Sequence, residues 1–258
     1  MSRGTALITG ASSGIGEALA RVFAREGFDL LLTARRLDRL EALQKELTEL
    51  TTVHVFSADL TSESGVSSLC ETVDQQGFQV DILVNNAGMM PTTPFVDTTP
   101  AVILETMNLN MLALTRLCHH YLPGMLQRRS GRILNVASVA AFHPVPGMDL
   151  YAATKAYVLS LSESLSANLQ GTGVSVTALC PGLTRTDMVD ESLSQTLPPF
   201  MMSTAEEVAR EGFSALMARE PVRVPGGPNR LALTWAQHQP RWLIRNLGGL
   251  AARFTGSR

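Results

Sequence analysis

The chain has 258 residues, of which 45% are hydrophobic and 17% charged, a balance that excludes a disordered chain or a coiled coil. A formal net charge of −2 and a pI near 6.2 exclude the basic field that nucleic-acid binders carry. The three cysteines, Cys70, Cys118 and Cys180, are scattered and lack CxxC spacing, so neither a disulfide framework nor a zinc site is indicated and reduced thiols are expected.

From the start, MSRGTALITG contains no charged region followed by a long apolar stretch, and no segment approaches 18 uninterrupted apolar residues. A cytoplasmic protein without a membrane span is therefore expected. Short runs rich in Val, Leu and Ile then alternate with longer segments of helical period, which predicts successive βαβ units. The predicted strands are Ala6 to Thr9, Asp29 to Ala34, Val53 to Ser57, Ile82 to Asn85, Arg132 to Ala137, Val174 to Leu179 and Val222 to Val224. Their uniformly apolar character suits strands covered on both faces. The predicted fold class is α/β: one domain over residues 1–258, with a doubly wound, mostly parallel, seven-stranded sheet of the Rossmann kind. Asp38 with Glu41 reads as a capping-box-like helix start, and Thr99 with Pro100 as an N-cap followed by an N1 proline.

The first strand runs into TGASSGIG, residues 9–16, and then into EALARVFAREG, whose apolar residues recur at helical spacing. Glycine at such a strand-turn-helix junction lets the backbone approach a pyrophosphate, and the helix N-terminus offers free amides and a positive dipole end. Gly10, Ser12, Ser13, Gly14, Ile15 and Gly16 are thus dinucleotide-binding candidates, although the GxxxGxG spacing alone also describes a tight turn that binds nothing. After the second strand, where a site for unphosphorylated ribose carries an acid, Arg35 and Arg36 stand instead. Two guanidinium groups there favour a 2′-phosphate, and so NADP(H), over NAD; a solvated loop is the plainer reading. Asp59 and Leu60, after the third strand, are candidates for the adenine end, and Asp59 is equally suited to capping the next helix.

Further along stand NNAG at 85–88, Asn110, Ser138, YAATK at 151–155 and PGLTRT at 181–186. In this order and at this spacing, together with the glycine turn, they resemble the short-chain dehydrogenase/reductase family over most of the chain. The ARRLDRLEAL, LNVASVAAF and LCPG stretches look most like an NADP-preferring branch whose members take mixed or unknown carbonyl substrates, some of them steroids or lipid ketones.

The resemblance implies a catalytic set of Asn110, Ser138, Tyr151 and Lys155. Tyr151 and Lys155 are one helical turn apart, on one face. A tyrosine ionises near pH 10, and a cation within a few ångströms draws it toward working pH, so Tyr151 is expected to serve as proton donor beside Lys155. The resemblance further implies that Lys155 bonds the nicotinamide ribose, that Ser138 donates to the substrate oxygen, and that Asn110 supports a water linking the lysine to solvent. Asn110 lies inside a predicted helix, where asparagine is a poor former. Asn85, Asn86, Ala87 and Gly88 resemble the turn that supports adenosine; Pro181, Gly182, Thr184 and Thr186 would meet the nicotinamide carboxamide.

Met89, Met90, Phe142, Val145, Met148, Met188, Val189, Leu193, Phe200, Met201 and Met202 are expected to wall a substrate pocket, with a lid over about 187–203. Flexible thioethers suit an adaptable apolar cavity, hence a hydrophobic ketone, aldehyde or alcohol; as ordinary core filler they would carry no such message. His119 and His120 are adjacent, so they face differently and lack metal-ligand spacing, while His143 falls between Ser138 and Tyr151. No metal is expected. The resemblance implies a homodimer or homotetramer built on the helices at about 100–127 and 151–171. In a helical extension over about 229–258, Leu243, Leu247, Leu250 and Phe254 form a stripe flanked by Arg241, Arg245 and Arg253, suited to docking on the subunit or to a membrane surface. The rival readings are a non-catalytic NADP-binding regulator or scaffold, and a dehydratase or epimerase using the same tyrosine and lysine.

Overall fold

A computed structural model of the chain describes residues 2–185 and 202–227. Its elements follow in order as β1 (Thr5–Thr9), α1 (Gly14–Arg25), β2 (Asp29–Ala34), α2 (Leu37–Leu47), β3 (Val53–Ser57), α3 (Glu63–Gln75), β4 (Ile82–Asn85), α4 (Pro100–Met107), α5 (Leu114–Gln127), β5 (Gly131–Val136), α6 (Asp149–Asn168), β6 (Val174–Leu179), β7 (Thr184–Arg185), β8 (Ser203–Thr204), α7 (Ala205–Met217) and β9 (Val222–Arg223). Seven strands form one sheet in the order β3-β2-β1-β4-β5-β6-β9, every pair parallel; β7 and β8 make a separate two-stranded pair. The expected doubly wound α/β sheet is present.

Alternation along the strands feeds two cores. Ala6 and Ile8 of β1 join Leu30 and Leu32 of β2 on the face covered by α1, α2 and α7, while Leu7 and Leu31 join Val66, Leu117 and Val158 on the face covered by α3, α5 and α6. On the first face Phe23 sits edge-on to Phe28 and Phe213, with centroids 5.5 and 4.9 Å away, an arrangement that fixes α1 against α7.

Four predicted strands match residue for residue; the first and last differ by one residue at one end, and the fifth is shifted by one residue at both. Thr99 caps α4 as expected, its hydroxyl accepting from the Val102 amide, with Pro100 at N1. Asp38 does not cap: α2 begins two residues earlier than that cap would place it, with Arg36 at the N-cap position and Asp38 in the first turn. There its carboxylate faces the positive end of the helix dipole instead of an amide hydrogen. The predicted long helix at 100–127 is interrupted by a π-helical turn, Asn108–Ala113. Apart from residues 202 and 203, the expected lid lies outside the described residues, as does the whole of the expected extension at 229–258, including the leucine and arginine stripe. Among the described residues no helix is long and apolar enough to cross a membrane.

Candidate active site

The first four strands end in turns that surround a cleft of about 540 Å³. Gly10, Ser12, Ser13, Gly14 and Ile15 line it from the first turn, Arg35 and Arg36 from the second, Asp59 and Leu60 from the third, and Asn86, Ala87 and Gly88 from the fourth. Gly10 has φ +66°, and a Cβ there would fall 2.8 Å from Asn86 Nδ2 and 2.9 Å from the Ala87 Cα. Only glycine allows both this left-handed backbone and this approach of two turns. Gly16 points elsewhere: a Cβ on it would overlap the Gly10 carbonyl and the Asn86 amide, so its role is to seat α1 against the turn.

Thr9 ties the first and fourth turns together. Its hydroxyl donates to the Val84 carbonyl at 3.2 Å and accepts from the Asn86 and Ala87 amides, each at 3.0 Å, while Asn86 Nδ2 returns to the Thr9 and Gly10 carbonyls. Threonine in the strand's last position gave no sign of this in the sequence. Asn85, grouped with this turn by resemblance, instead turns into the core and donates to Asn135 Oδ1 at 2.9 Å and to Cys118 Sγ at 3.2 Å. The reason is strand alternation: Asn85 is still in β4, whereas Asn86 has left it.

The Arg36 guanidinium lies across the glycine turn, donating to Ser12 Oγ at 3.1 Å and Ser13 Oγ at 2.7 Å. Positive charge is thus held at the mouth of the cleft beside two hydroxyls and the N-terminus of α1, a donor set suited to a phosphate. Asp59 Oδ1 accepts from the Thr61 amide and hydroxyl at 3.0 and 2.8 Å, and these bonds, with the charge of Arg35, hold its carboxyl below the usual range. The cap of α3 is Ser62, not Asp59.

Beyond the fourth turn, Lys155 reaches the inner end of the same cleft. Its ammonium is buried and donates to the Val136 carbonyl at 2.8 Å. Burial pulls it down to about 8. One of three donors is spent on Val136; Gly88, where a Cβ would sit 3.4 Å from Nζ, keeps the space beside it open. An ammonium this poor in protein acceptors fits a site that receives hydroxyl groups of a bound molecule.

Tyr151 lies on the same face of α6, with Lys155 Nζ 5.7 Å from its ring centroid. The expected lowering of the phenol by the lysine is not found: burial raises Tyr151, and a hydrogen bond with Ser138 lowers it only in part. The lysine is held to the Val136 carbonyl, and desolvation of the phenol prevails. Ser138 follows β5 and caps a 3₁₀ turn, Val139–Ala141, its Oγ accepting from the Ala140 amide at 3.1 Å.

Asn110 is almost fully enclosed within the π-turn. Its amide grips both sides of the Met89 backbone, Nδ2 to O and N to Oδ1 at 2.9 Å each, and donates its second hydrogen to Thr154 Oγ1 at 3.0 Å. Thr154 in turn donates to the Tyr151 carbonyl at 2.8 Å. The wider turn aims this side chain at Met89 and α6, which resolves the conflict of an asparagine inside a helix. Both of its hydrogens are used, leaving one Oδ1 lone pair for a water.

Pro181, Gly182 and Thr184 follow β6; the Pro181 carbonyl accepts from the Val139 amide at 2.9 Å, which brings this turn beside Ser138. Thr186, Met188, Val189, Leu193, Phe200 and Met201 lie outside the described residues. Met89 and Met90 line the cleft, and Met148 joins Pro91, Phe95, Leu150 and Tyr151 around a small adjoining hollow. Met202 is buried, and Phe142 packs against the core that includes α5 and α6. His119 is exposed, His120 pairs with Asp74 at 3.0 Å, and His143 is half-buried. Among the described residues no group of His, Cys, Asp or Glu could hold a metal ion.

Residues 4–197 match the family model described as short chain dehydrogenase. Serine 3-dehydrogenase of Rhizobium radiobacter is 38% identical over 185 residues, 71% of this chain and 73% of that protein. Among solved structures, a short-chain dehydrogenase from Sphingobium yanoikuyae in complex with NADPH is 34% identical, with a TM-score of 0.80 over 99% of this chain and 96% of that one. The bulky-bulky ketone specific alcohol dehydrogenase from Comamonas testosteroni is 32% identical, with a TM-score of 0.79 over 100% and 96% of the two chains.

Proposed function

The chain belongs to the short-chain dehydrogenase/reductase family, a family of oxidoreductases that use a nicotinamide cofactor, and from that premise we propose an NADP(H)-dependent enzyme interconverting a hydrophobic ketone or aldehyde and its alcohol. The observation that carries the reading is the placement of Lys155 in the same cleft as the glycine turn and Arg36, with Tyr151 and Ser138 beside it. The glycine turn and the α1 N-terminus would hold the pyrophosphate, Arg35 and Arg36 with Ser12 and Ser13 the 2′-phosphate, and Lys155 the nicotinamide ribose. Bound there, the nicotinamide supplies the hydride. Tyr151, kept neutral by burial, donates its proton to the substrate oxygen, and Ser138 donates a hydrogen bond to that oxygen. Lys155, still mostly protonated near neutrality, offsets the charge left on the phenol.

Preference for NADP(H) rests on Arg36 at the turn and on the NADPH complex of the Sphingobium relative. Preference for an apolar substrate rests on Met89, Met90, Met148 and Phe95 around the site, and on the ketone named for the Comamonas enzyme. The reading extends to a cytoplasmic homodimer or homotetramer, supported by Leu104, Met107 and Leu112 exposed on the α4–α5 surface. A regulator without turnover is less well supported, since Asn110, Ser138, Tyr151 and Lys155 are all present.

The test is absorbance at the nicotinamide band with NADPH and NADH across an apolar carbonyl panel. Tyr151→Phe is expected to lose about 10²-fold or more in kcat while still binding NADPH, and Arg36→Glu to weaken NADPH but not NADH. Full turnover by Tyr151→Phe, or faster reaction with NADH than NADPH in the unaltered enzyme, would reject the reading.

A further inference from the structure

We propose that Asn135 is a positioning residue that, through Ser162, fixes the depth and rotation of α6 on the sheet and thereby the placement of Lys155 and Tyr151; this rests on the roles proposed for those two groups. Asn135 and Val136 are the last two residues of β5. The Val136 carbonyl accepts from Lys155 Nζ at 2.8 Å, and Asn135 Nδ2 donates to Ser162 Oγ at 2.9 Å. Ser162 passes its own hydrogen to the Val158 carbonyl at 2.6 Å, so its hydroxyl orientation is set. Lys155 and Ser162 are seven residues apart, two turns and about 10 Å along one face of the helix. Two adjacent strand residues therefore grip α6 at two levels, and neither sliding nor turning of the helix leaves both bonds intact.

The grip is itself braced. Asn85 stands opposite Asn135 in the β4–β5 register and donates to its Oδ1 at 2.9 Å, and Asn85 also reaches Cys118 on α5 at 3.2 Å. Asn85 is 3% exposed and Asn135 and Ser162 are both 0% exposed, deep beside a largely apolar core. A leucine at position 135 would fill such a place without any polar group to desolvate. An amide there costs stability to the extent that its bonds are not made, and Asn85 Oδ1 is buried without a partner, so the chain is kept at a cost in desolvation; the directional bonds that are made restrict how the elements they join can sit. Packing asks for volume; only registration asks for this directional chain.

The smallest perturbation is Ser162→Ala, which removes the Asn135 acceptor from α6, with Ser162→Thr as the variant that restores a hydroxyl. Two readouts separate positioning from bulk stability: kcat with NADPH and a reactive carbonyl, and titration of the Lys155 side chain by NMR in the ligand-free protein, assigned with Lys155→Met. The groups bearing on that titration are the Tyr151 ring, the Cys180 thiol and the Val136 carbonyl. Ser162→Ala should lower kcat about tenfold and move the Lys155 midpoint by about half a unit or more, upward as water reaches a loosened site, and Ser162→Thr should recover both. A folded Ser162→Ala protein with only its melting temperature lowered, kcat and the Lys155 midpoint unchanged, overturns the proposal. If Ser162→Ala fails to fold, Ser162→Cys, which keeps a weak acceptor, is read the same way. The NMR titration needs no turnover, so loss of the enzymatic reading, seen as full activity in Tyr151→Phe, remains a separate result.

Discussion

Replacing Lys155 with methionine should make the ligand-free protein more stable near neutrality, although it removes a residue of the proposed chemistry. Burial lowers the lysine from 10.5 to about 8. At 1.36 kcal/mol per unit, keeping the proton in the folded state costs about 3 kcal/mol near pH 7. Methionine preserves most of the apolar stem and removes that cost, but leaves the Val136 carbonyl without its partner, a loss of about 1–2 kcal/mol. A net gain of about 1–2 kcal/mol is expected. The pH dependence is the sharper signature. Between about 8 and 10.5 the unfolded chain binds more protons than the folded one, so wild-type stability rises with pH across that window; below about 8 both states carry the proton and the full cost of burying it remains. The advantage of Lys155→Met should therefore shrink by about 2 kcal/mol from about pH 7 to about pH 9.5. Urea unfolding followed by far-ultraviolet circular dichroism at a series of pH values measures this difference. A constant gap across that range, or a variant less stable than wild type near pH 7, would refute a desolvated Lys155.

Asn110→Leu should cost about 2–4 kcal/mol in the same urea assay, because it strands both polar groups of Met89 and the Thr154 hydroxyl at once; an unchanged midpoint would mean that the clamp carries no energy. Gly10→Ala should lose about 2 kcal/mol or more and weaken NADPH binding, since it meets both positive φ and the Asn86–Ala87 backbone, whereas Gly77→Ala, at φ +73° with nothing within 4 Å, should cost only about 1 kcal/mol. Equal losses at the two glycines would show that the close approach of the turns does not matter.

The parts of this molecule legible beforehand were those governed by short-range rules. Strands such as Asp29–Ala34 and Val174–Leu179 announce themselves because a parallel sheet buried on both faces tolerates few polar residues. The glycine turn was readable because positive φ and close approach admit one residue type. Asp38 misled, since the rule for a cap does not say which of several neighbouring residues first takes helical angles. Asn110 signalled itself only as a misfit, and the π-turn that accommodates it depends on Met89 and Thr154, both distant in sequence. Asn135 and Ser162 could not be found at all, and Asn85 was noticed but assigned to the wrong turn, because an asparagine in an apolar run reads as a strand end until its partner on another element is known. The Tyr151 and Lys155 pair illustrates the same limit: spacing put them on one helical face, but which way burial moved each group depended on everything around them.

Strand β1 is the first to be made and ends in the middle of the sheet, with β2 on one side and β4 on the other. Its second neighbour arrives late: Ala6 pairs with Ile82, 76 residues downstream. At ribosomal speeds of about 5–20 residues per second, that edge of β1 stays open for roughly 4–15 s after the strand leaves the exit tunnel, a long time for Ala6, Leu7 and Ile8 to go unpaired. The newborn chain is thus most adhesive before its midpoint is translated, and slowing elongation ahead of residue 82 should lower the yield of native protein more than the same pause placed after it.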